Sequence, residues 1–446
     1  MRLDFMDSKS QLIVYSNGMK WQARFFSLPW YRQVSILFFA SLAIGAVFVI
    51  GLPEHYRPSI NADYPTHYKP TAENILHGRG VTGSNGQLQL TYPPGYPVFL
   101  AFAYGVAGML KLPADGTVIA FGLLCGSAST VFVYLTAVLH FGKSIGLLSW
   151  FLWATYIPNL ATLLHPNSEV PFMLFLFCGI WVLSRGLFGK GGAVTAGSLA
   201  GVLLGAAALV RPVALFLPFV LALAVFAFAG LRTRKRIVMS LLLLVGFGIS
   251  TAPWEIYVKA RTQKFIPLCL NGPSSMLDGL EFAIVSGTSG EQANIPDQLR
   301  SLMETTRDQR ASMKSVGDVG RFVRQQAESN REGLLQLVFF KLVRSWYGMY
   351  SQRSETLVLL LQCPYLILMA TGYVVVIKRA QRFKSSSLFL SVIPAYFLGM
   401  SMLVMPLLRY MVPAIAFLMP FAAIALLTAA AALEARCRLV GLPTFE

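Results

Sequence analysis

Long apolar runs, separated by short and mostly basic breaks, occupy most of the chain. They fall at 34–52, 117–139, 144–164, 168–186, 192–210, 213–231, 237–253, 355–377, 386–407 and 410–431. Each is close to the roughly 20 residues a helix needs to cross about 30 Å of hydrocarbon. None carries Lys, Arg, Asp or Glu near its middle, where a charge costs roughly 2.5–3.5 kcal/mol to insert. The pattern predicts an all-α polytopic membrane protein of about ten transmembrane helices. Two long polar interruptions, 53–116 and 254–354, are the exceptions. Loops longer than about 15 residues are uncommon as mere connectors.

The basic residues set the expected orientation. Lys143, Arg185, Lys190, the Arg232–Arg236 cluster, the Lys378–Lys384 cluster, Arg436 and Arg438 all fall in alternate short loops. The positive-inside rule makes that side cytoplasmic and places both termini inside. Residues 93–110 are apolar but short, and an extra crossing there would move every basic cluster outside. They read as a helix lying along the outer surface. The predicted organisation is a cytoplasmic segment 1–33, a transmembrane region 34–253 with an outer first loop 53–116 bearing surface helices, a small and mainly helical extracytoplasmic region 254–354, transmembrane helices 355–431, and a cytoplasmic tail 432–446. Within 254–354, Pro296 to Asn330 reads as helical. Gly333–Tyr350, with Lys341, Arg344, Trp346 and Tyr347, reads as an interfacial helix returning to the membrane.

Composition agrees with a membrane class: 55% hydrophobic, 13% charged, mean hydropathy +0.59. The net charge of +17 is distributed by topology, so it is no sign of a nucleic-acid partner. The 5 cysteines form neither a disulfide framework nor a zinc spacing. No P-loop or HExxH is present, and the bare GxSxG and GxGxxG spacings at 142–146 and 78–83 follow no predicted strand, so ATP-driven and nucleotide-cofactor readings have no support.

The unusual polar residues collect on the outer side. Asp63, His67 and Glu73 lie in the first loop; His165, Asn167, Ser168 and Glu169 lie between the third and fourth runs. Arg211-Pro212 joins the fifth and sixth, Trp254 and Asn271 follow the seventh, and Arg409-Tyr410 opens the tenth. Each has a structural alternative. Asp63 could cap a helix, Glu169 could complement a helix N-terminus, His165 could serve packing, and Arg211 and Arg409 could be snorkelling anchors. Their convergence on one face is the functional signal.

The order of motifs resembles the GT-C class of integral-membrane glycosyltransferases, which includes the protein mannosyltransferase and aminoarabinose-transferase families. The resemblance rests on Asp63 after the first run; Tyr68, Ala72 and Leu76; Gly78 and Gly80; and Pro-Pro-Gly-Tyr-Pro at 93–97. It continues through Asn-Ser-Glu at 167–169, Arg211-Pro212, Ala-Pro-Trp at 252–254, Phe-Ile-Pro-Leu at 265–268, Asn271-Gly272 and Arg409-Tyr410. Two positions depart from it. Many members carry a second acid directly after the loop Asp, where this chain has Tyr64, and Arg-Asn where it has Tyr257-Val258.

The resemblance implies transfer of a sugar from a polyprenyl-phosphate donor to a glycan, lipid or protein acceptor in cell-envelope synthesis. The enzyme would be multi-pass in the plasma (inner) membrane, with its active site facing the extracytoplasmic side. The acceptor must lose a proton as it attacks the anomeric carbon, a task for a carboxylate, and Asp63 is the candidate. The departing lipid phosphate needs cations, and Arg suits phosphate geometry. Arg211 and Arg409 are candidates, with Lys69 as a third and with Glu169 and Tyr410 as further donor contacts. These residues leave the need for a cofactor open; a divalent metal ion held by Asp63, His165 and Glu169 is the candidate. Other readings are a polymerase or ligase of the O-antigen type, and a lipid-linked saccharide transporter. A transporter would need charged or broken helices at mid-membrane and internal repeats, and neither is evident.

The orientation is checked by cysteine labelling. In intact cells an impermeant thiol reagent should modify Ser289→Cys and leave Thr233→Cys untouched; labelling at 233 would reverse the topology.

Overall fold

The computed structural model describes residues 20–53, 55, 57, 62–189, 191–228, 232–282, 295–350, 354–379 and 383–440. Position 289, Lys190 and most of the N-terminal segment lie outside these. The described chain is built from helices in the order α1 (Lys20–Ser27), α2 (Trp30–Gly51), α3 (Lys69–Leu76), α4 (Gly95–Leu110), α5 (Ala114–Phe141), α6 (Lys143–Ala154), α7 (Ile157–Ala161), α8 (Glu169–Phe188), α9 (Ala193–Val210), α10 (Leu217–Phe228) and α11 (Thr233–Thr262). An extramembrane group follows: α12 (Gly272–Leu280), α13 (Asp297–Gln309), α14 (Val316–Ser329) and α15 (Arg331–Arg344). The chain then returns through α16 (Glu355–Arg379), α17 (Lys384–Leu403), α18 (Leu408–Ile415) and α19 (Met419–Val440).

Seven of these helices (α2, α5, α8, α9, α11, α16 and α17) are long and apolar enough to cross a membrane, or eight if the bent pair α18–α19 is one span. The expectation of about ten is therefore not met among the described residues, and the differences have local causes. The run 144–164 is broken after Ala154, where Pro158 opens the separate short helix α7. The run 213–231 begins with a tight turn at Pro212–Ala214 and yields only the short α10. The run 410–431 bends by 64° between α18 and α19, with Pro413 inside α18; proline removes a backbone donor and kinks a helix.

Close backbone approach organises the bundle. Gly197, Gly201 and Gly205 recur every fourth residue on α9 and face α11. A side chain at Gly201 would strike the Leu243 carbonyl, and one at Gly246 the Ser198 carbonyl. Small residues at such spacing let helices pack by van der Waals contact where lipid supplies no hydrophobic drive. α8 lies along the other side of α9 and buries Phe172, Met173, Leu176 and Ile180.

The extramembrane group has its own core, including Phe282, Leu299, Leu302, Met303, Val319 and Leu337. A reciprocal cap between Ser315 and Asp318 starts α14, and the Asn330 side chain accepts from Gly333 N at 3.0 Å to start α15. α15 presents Leu335, Val338, Phe339 and Leu342 outward, a spacing of one helix face. On its other face Lys341 and Arg344 turn inward and are buried. Burial pushes the Lys341 ammonium down to about 7, because desolvation penalises its charged form.

The α9–α11 contact gives a direct test. Gly201→Val should destabilise the solubilised protein by about 1–3 kcal/mol through overpacking. Gly248→Val, which points into open space, should leave the melting temperature nearly unchanged.

Candidate active site

The first long loop, 53–116, is held by its aromatic residues. Asp63 precedes a wide helical turn, Tyr64–Tyr68, that runs straight into α3. Gly78 and Gly80 end this unit at φ +73° and +74°, the left-handed region that glycine enters without steric cost. The Asn74 side-chain amide then donates to the Thr82 and Gly83 carbonyls, both at 2.9 Å. Tyr64 is buried, and its hydroxyl bonds the Tyr104 hydroxyl at 2.7 Å and donates to Asp115 at 2.6 Å. Tyr68 packs against Tyr92 and Tyr96, each at 4.9 Å between ring centres.

The Pro-Pro-Gly segment then proves to be a docking device. A side chain at Gly95 would collide with the backbone of Leu209 and Val210. Glycine thus lets the start of α4 rest on the last turn of α9, directly before Arg211. A helix in the first loop and an arginine more than a hundred residues later become neighbours by this contact.

Four of the sequence candidates converge here. Glu169 opens α8 and is almost fully buried. Its carboxylate lies 2.5 Å from Arg211 Nη1 and 3.5 Å from Arg409 Nε. Arg211 Nη1 also donates to Ser168 Oγ at 3.2 Å. The guanidinium groups of Arg211 and Arg409 sit 5.8 and 5.1 Å from the centre of the Tyr410 ring, and Arg409 lies 5.3 Å from that of Tyr350. Two cations thus face one buried carboxylate. Arg409 Nε is buried yet has no hydrogen-bond partner among the described residues.

Asp63 borders this cluster. The Tyr92 hydroxyl bonds its carboxylate, and its charge is felt by both Arg409 and Tyr68. Burial, reinforced by the Asp63 charge, pushes the Tyr92 hydroxyl well above its usual range. Tyr92 therefore stays a proton donor near neutral pH, holding Asp63 in orientation without competing for a proton. Burial likewise raises Tyr68, partly offset by the charge of Arg211.

Lys69 and His165 are placed elsewhere. Lys69 faces Asp115 at 4.0 Å instead of joining the arginines. His165 lines a small cavity with Phe99, Val118, Ile119, Asn167 and Pro171. Among the described residues no group of three His, Cys, Asp or Glu side chains is arranged to hold a metal ion. The set Asp63, His165 and Glu169 is not gathered into one, and the Glu169 carboxylate is already shared by two guanidiniums. Trp254 and Asn271 serve the loop frame: the Trp254 indole donates to the Leu268 carbonyl at 2.8 Å, and Asn271 precedes α12. Sequence reading missed Tyr92 and Tyr350 as members of the site. Tyr92 directly precedes the Pro-Pro-Gly segment, whereas no local pattern marks Tyr350.

Comparison with known proteins agrees with this architecture. Residues 92–257 match the family model of dolichyl-phosphate-mannose-protein mannosyltransferases. No curated protein matches the chain. Among solved structures it is similar to ArnT from Cupriavidus metallidurans bound to undecaprenyl phosphate (TM-score 0.52, 15% identity, covering 91% of this chain and 60% of that one). It is also similar to the Archaeoglobus fulgidus oligosaccharyltransferase AglB in complex with an inhibitory peptide and a dolichol-phosphate (TM-score 0.58, 10% identity, 94% and 53%). An Archaeoglobus fulgidus oligosaccharyltransferase in the apo form gives 0.54, 12%, 92% and 52%. The resemblance to the GT-C class is thus borne out in fold, and the chain is a multi-pass integral membrane protein. It spans only about half to three-fifths of the length of these solved neighbours.

The buried ion pair carries a stability prediction. Glu169→Ala leaves two guanidiniums without their carboxylate and should cost roughly 3–5 kcal/mol, read as a lower melting temperature in detergent. The exposed Glu73→Ala should melt like the parent; equal melting of both would show that the ion pair contributes nothing to stability.

Proposed function

We propose that this protein transfers a sugar from a polyprenyl-phosphate donor to an envelope glycan, lipid or protein acceptor at the extracytoplasmic face of the plasma (inner) membrane. In this reading the loop 53–116 and the region 254–354 face outward, and the terminal segments 1–33 and 432–446 are cytoplasmic. One observation carries the proposal: arginines from two distant turns, Arg211 and Arg409, meet at a single buried carboxylate beside Asp63. A structural ion pair requires one arginine; a second leaves charge available for an anion.

The reaction follows from these positions. An acceptor O–H or N–H gives its proton to the Asp63 carboxylate as its lone pair attacks the anomeric carbon. The bond from that carbon to the phosphate oxygen breaks, and polyprenyl phosphate leaves with the electron pair. Arg211 and Arg409 stabilise the developing phosphate charge, a contribution of about 3 kcal/mol for each well-placed donor. Glu169 and Tyr410 hold the two guanidiniums in place, and Ser168 orients Arg211. Lys69, paired with Asp115, steadies the loop. A single displacement inverts the anomeric configuration. Among the described residues no three His, Cys, Asp or Glu side chains are arranged to hold a metal ion, and no step is assigned to one.

Mass spectrometry of envelope glycans from cells with and without the gene identifies the transferred saccharide. With that product as readout, Asp63→Asn should cut transfer by at least about 10²-fold at normal membrane levels. Glu73→Gln, on the same loop helix but exposed, should restore wild-type product. Full activity of Asp63→Asn, with Glu169→Gln inactive, would remove Asp63 as the base.

A further inference from the structure

We infer that Lys341 and Arg344, on the buried face of α15, are positioning residues that set Arg409 and Tyr350 against the donor phosphate. The inference rests on the reading of Arg211 and Arg409 as the phosphate clamp. Both side chains belong to types that are almost never fully buried without a partner, yet Lys341 is 1% exposed and Arg344 3%. What they hold is the backbone on either side of the clamp. Lys341 Nζ donates to the Met402 carbonyl at 2.9 Å, at the end of α17. Arg344 Nη1 reaches the Pro406 carbonyl at 3.5 Å, three residues before Arg409. Its Nη2 donates to the Met349 carbonyl at 2.9 Å and to Glu355 Oε1 at 2.5 Å. Glu355 in turn accepts from Met349 N at 3.1 Å.

Two backbone segments are thereby joined, one ending in Tyr350 and the other leading to Arg409. Leu408 N donates to the Gly348 carbonyl at 2.8 Å, and a side chain at Gly348 would collide with the Pro406 carbonyl. The result is the Arg409 guanidinium 5.3 Å from the centre of the Tyr350 ring. The Arg344 guanidinium also lies 4.9 Å from the centre of the Phe282 ring, so its position is tied to the core of the extramembrane group. That group is accordingly part of the clamp's support. Tyr350, 52% exposed, stands beside the Arg409 cation.

The test is binding of undecaprenyl phosphate to the full chain in lipid nanodiscs, read as Kd, with melting temperature recorded alongside. Arg344→Met should weaken binding roughly tenfold, equivalent to about 1.4 kcal/mol. Glu355→Gln keeps the shape of the hub and should weaken binding by a smaller factor, and it carries the test if Arg344→Met does not fold. In an Arg409→Ala background neither change should weaken binding by more than about twofold further, because residues acting through one group are not additive. Arg344→Lys should recover part of the affinity. Unchanged Kd with a lowered melting temperature, or full additivity with Arg409→Ala, would show a purely structural role and overturn the inference. Unchanged Kd for Arg409→Ala alone would remove the clamp reading itself, and this inference with it.

Discussion

A carboxylate buried among helix ends constrains everything around it. Removing Glu169 from water carries a penalty of several kcal/mol, repaid only when cations stand close and in register. Arg211 closes α9 and Arg409 opens α18, so the pairing requires the ends of α8, α9 and α18 to meet at one depth. Any slip of one helix would leave an uncompensated charge in apolar surroundings. The close α9–α11 packing through glycines serves the same requirement, since it fixes the height at which Arg211 emerges.

Once that point is set, the irregular segments arrange themselves about it. Gly95 rests on the last turn of α9 and brings the first loop, with Asp63 and Tyr92, to the edge of the arginine pair. From the other side the extramembrane group contributes Tyr350 through the joined turns at 344–350 and 402–408. Both long polar interruptions thus converge on one place. The apolar helices provide a frame, and the irregular backbone over it carries the polar groups, as expected where loops are positioned by a rigid scaffold.

The cluster also separates two kinds of charge that look alike in a list of residues. Lys69 and Asp115 form a half-exposed pair, worth little in water, whose value lies in tethering the loop. Arg211 and Arg409 share one carboxylate and keep donor capacity facing an aromatic rim. A helix anchor reaching toward water would need neither that carboxylate nor that rim.

The membrane class and the seven helices long and apolar enough to cross a membrane were legible from the chain alone, because periodicity and hydropathy are local properties. Membership of Asp63, Glu169, Arg211, Arg409 and Tyr410 in one neighbourhood was also legible, through motif order and the side of the membrane each turn was expected to face. The number of spans was not. A proline-opened break after Ala154 and the 64° bend at α18–α19 change helix length without changing apolar content. Nor could the chain show that Lys69 turns to Asp115 or that Lys341 and Arg344 point inward. A basic residue on an apolar helix has the same local sequence whether it reaches toward water or a buried carbonyl. Only the tertiary structure decides that, because the partner is supplied by a distant turn and the choice depends on which group is there to repay the cost of burial.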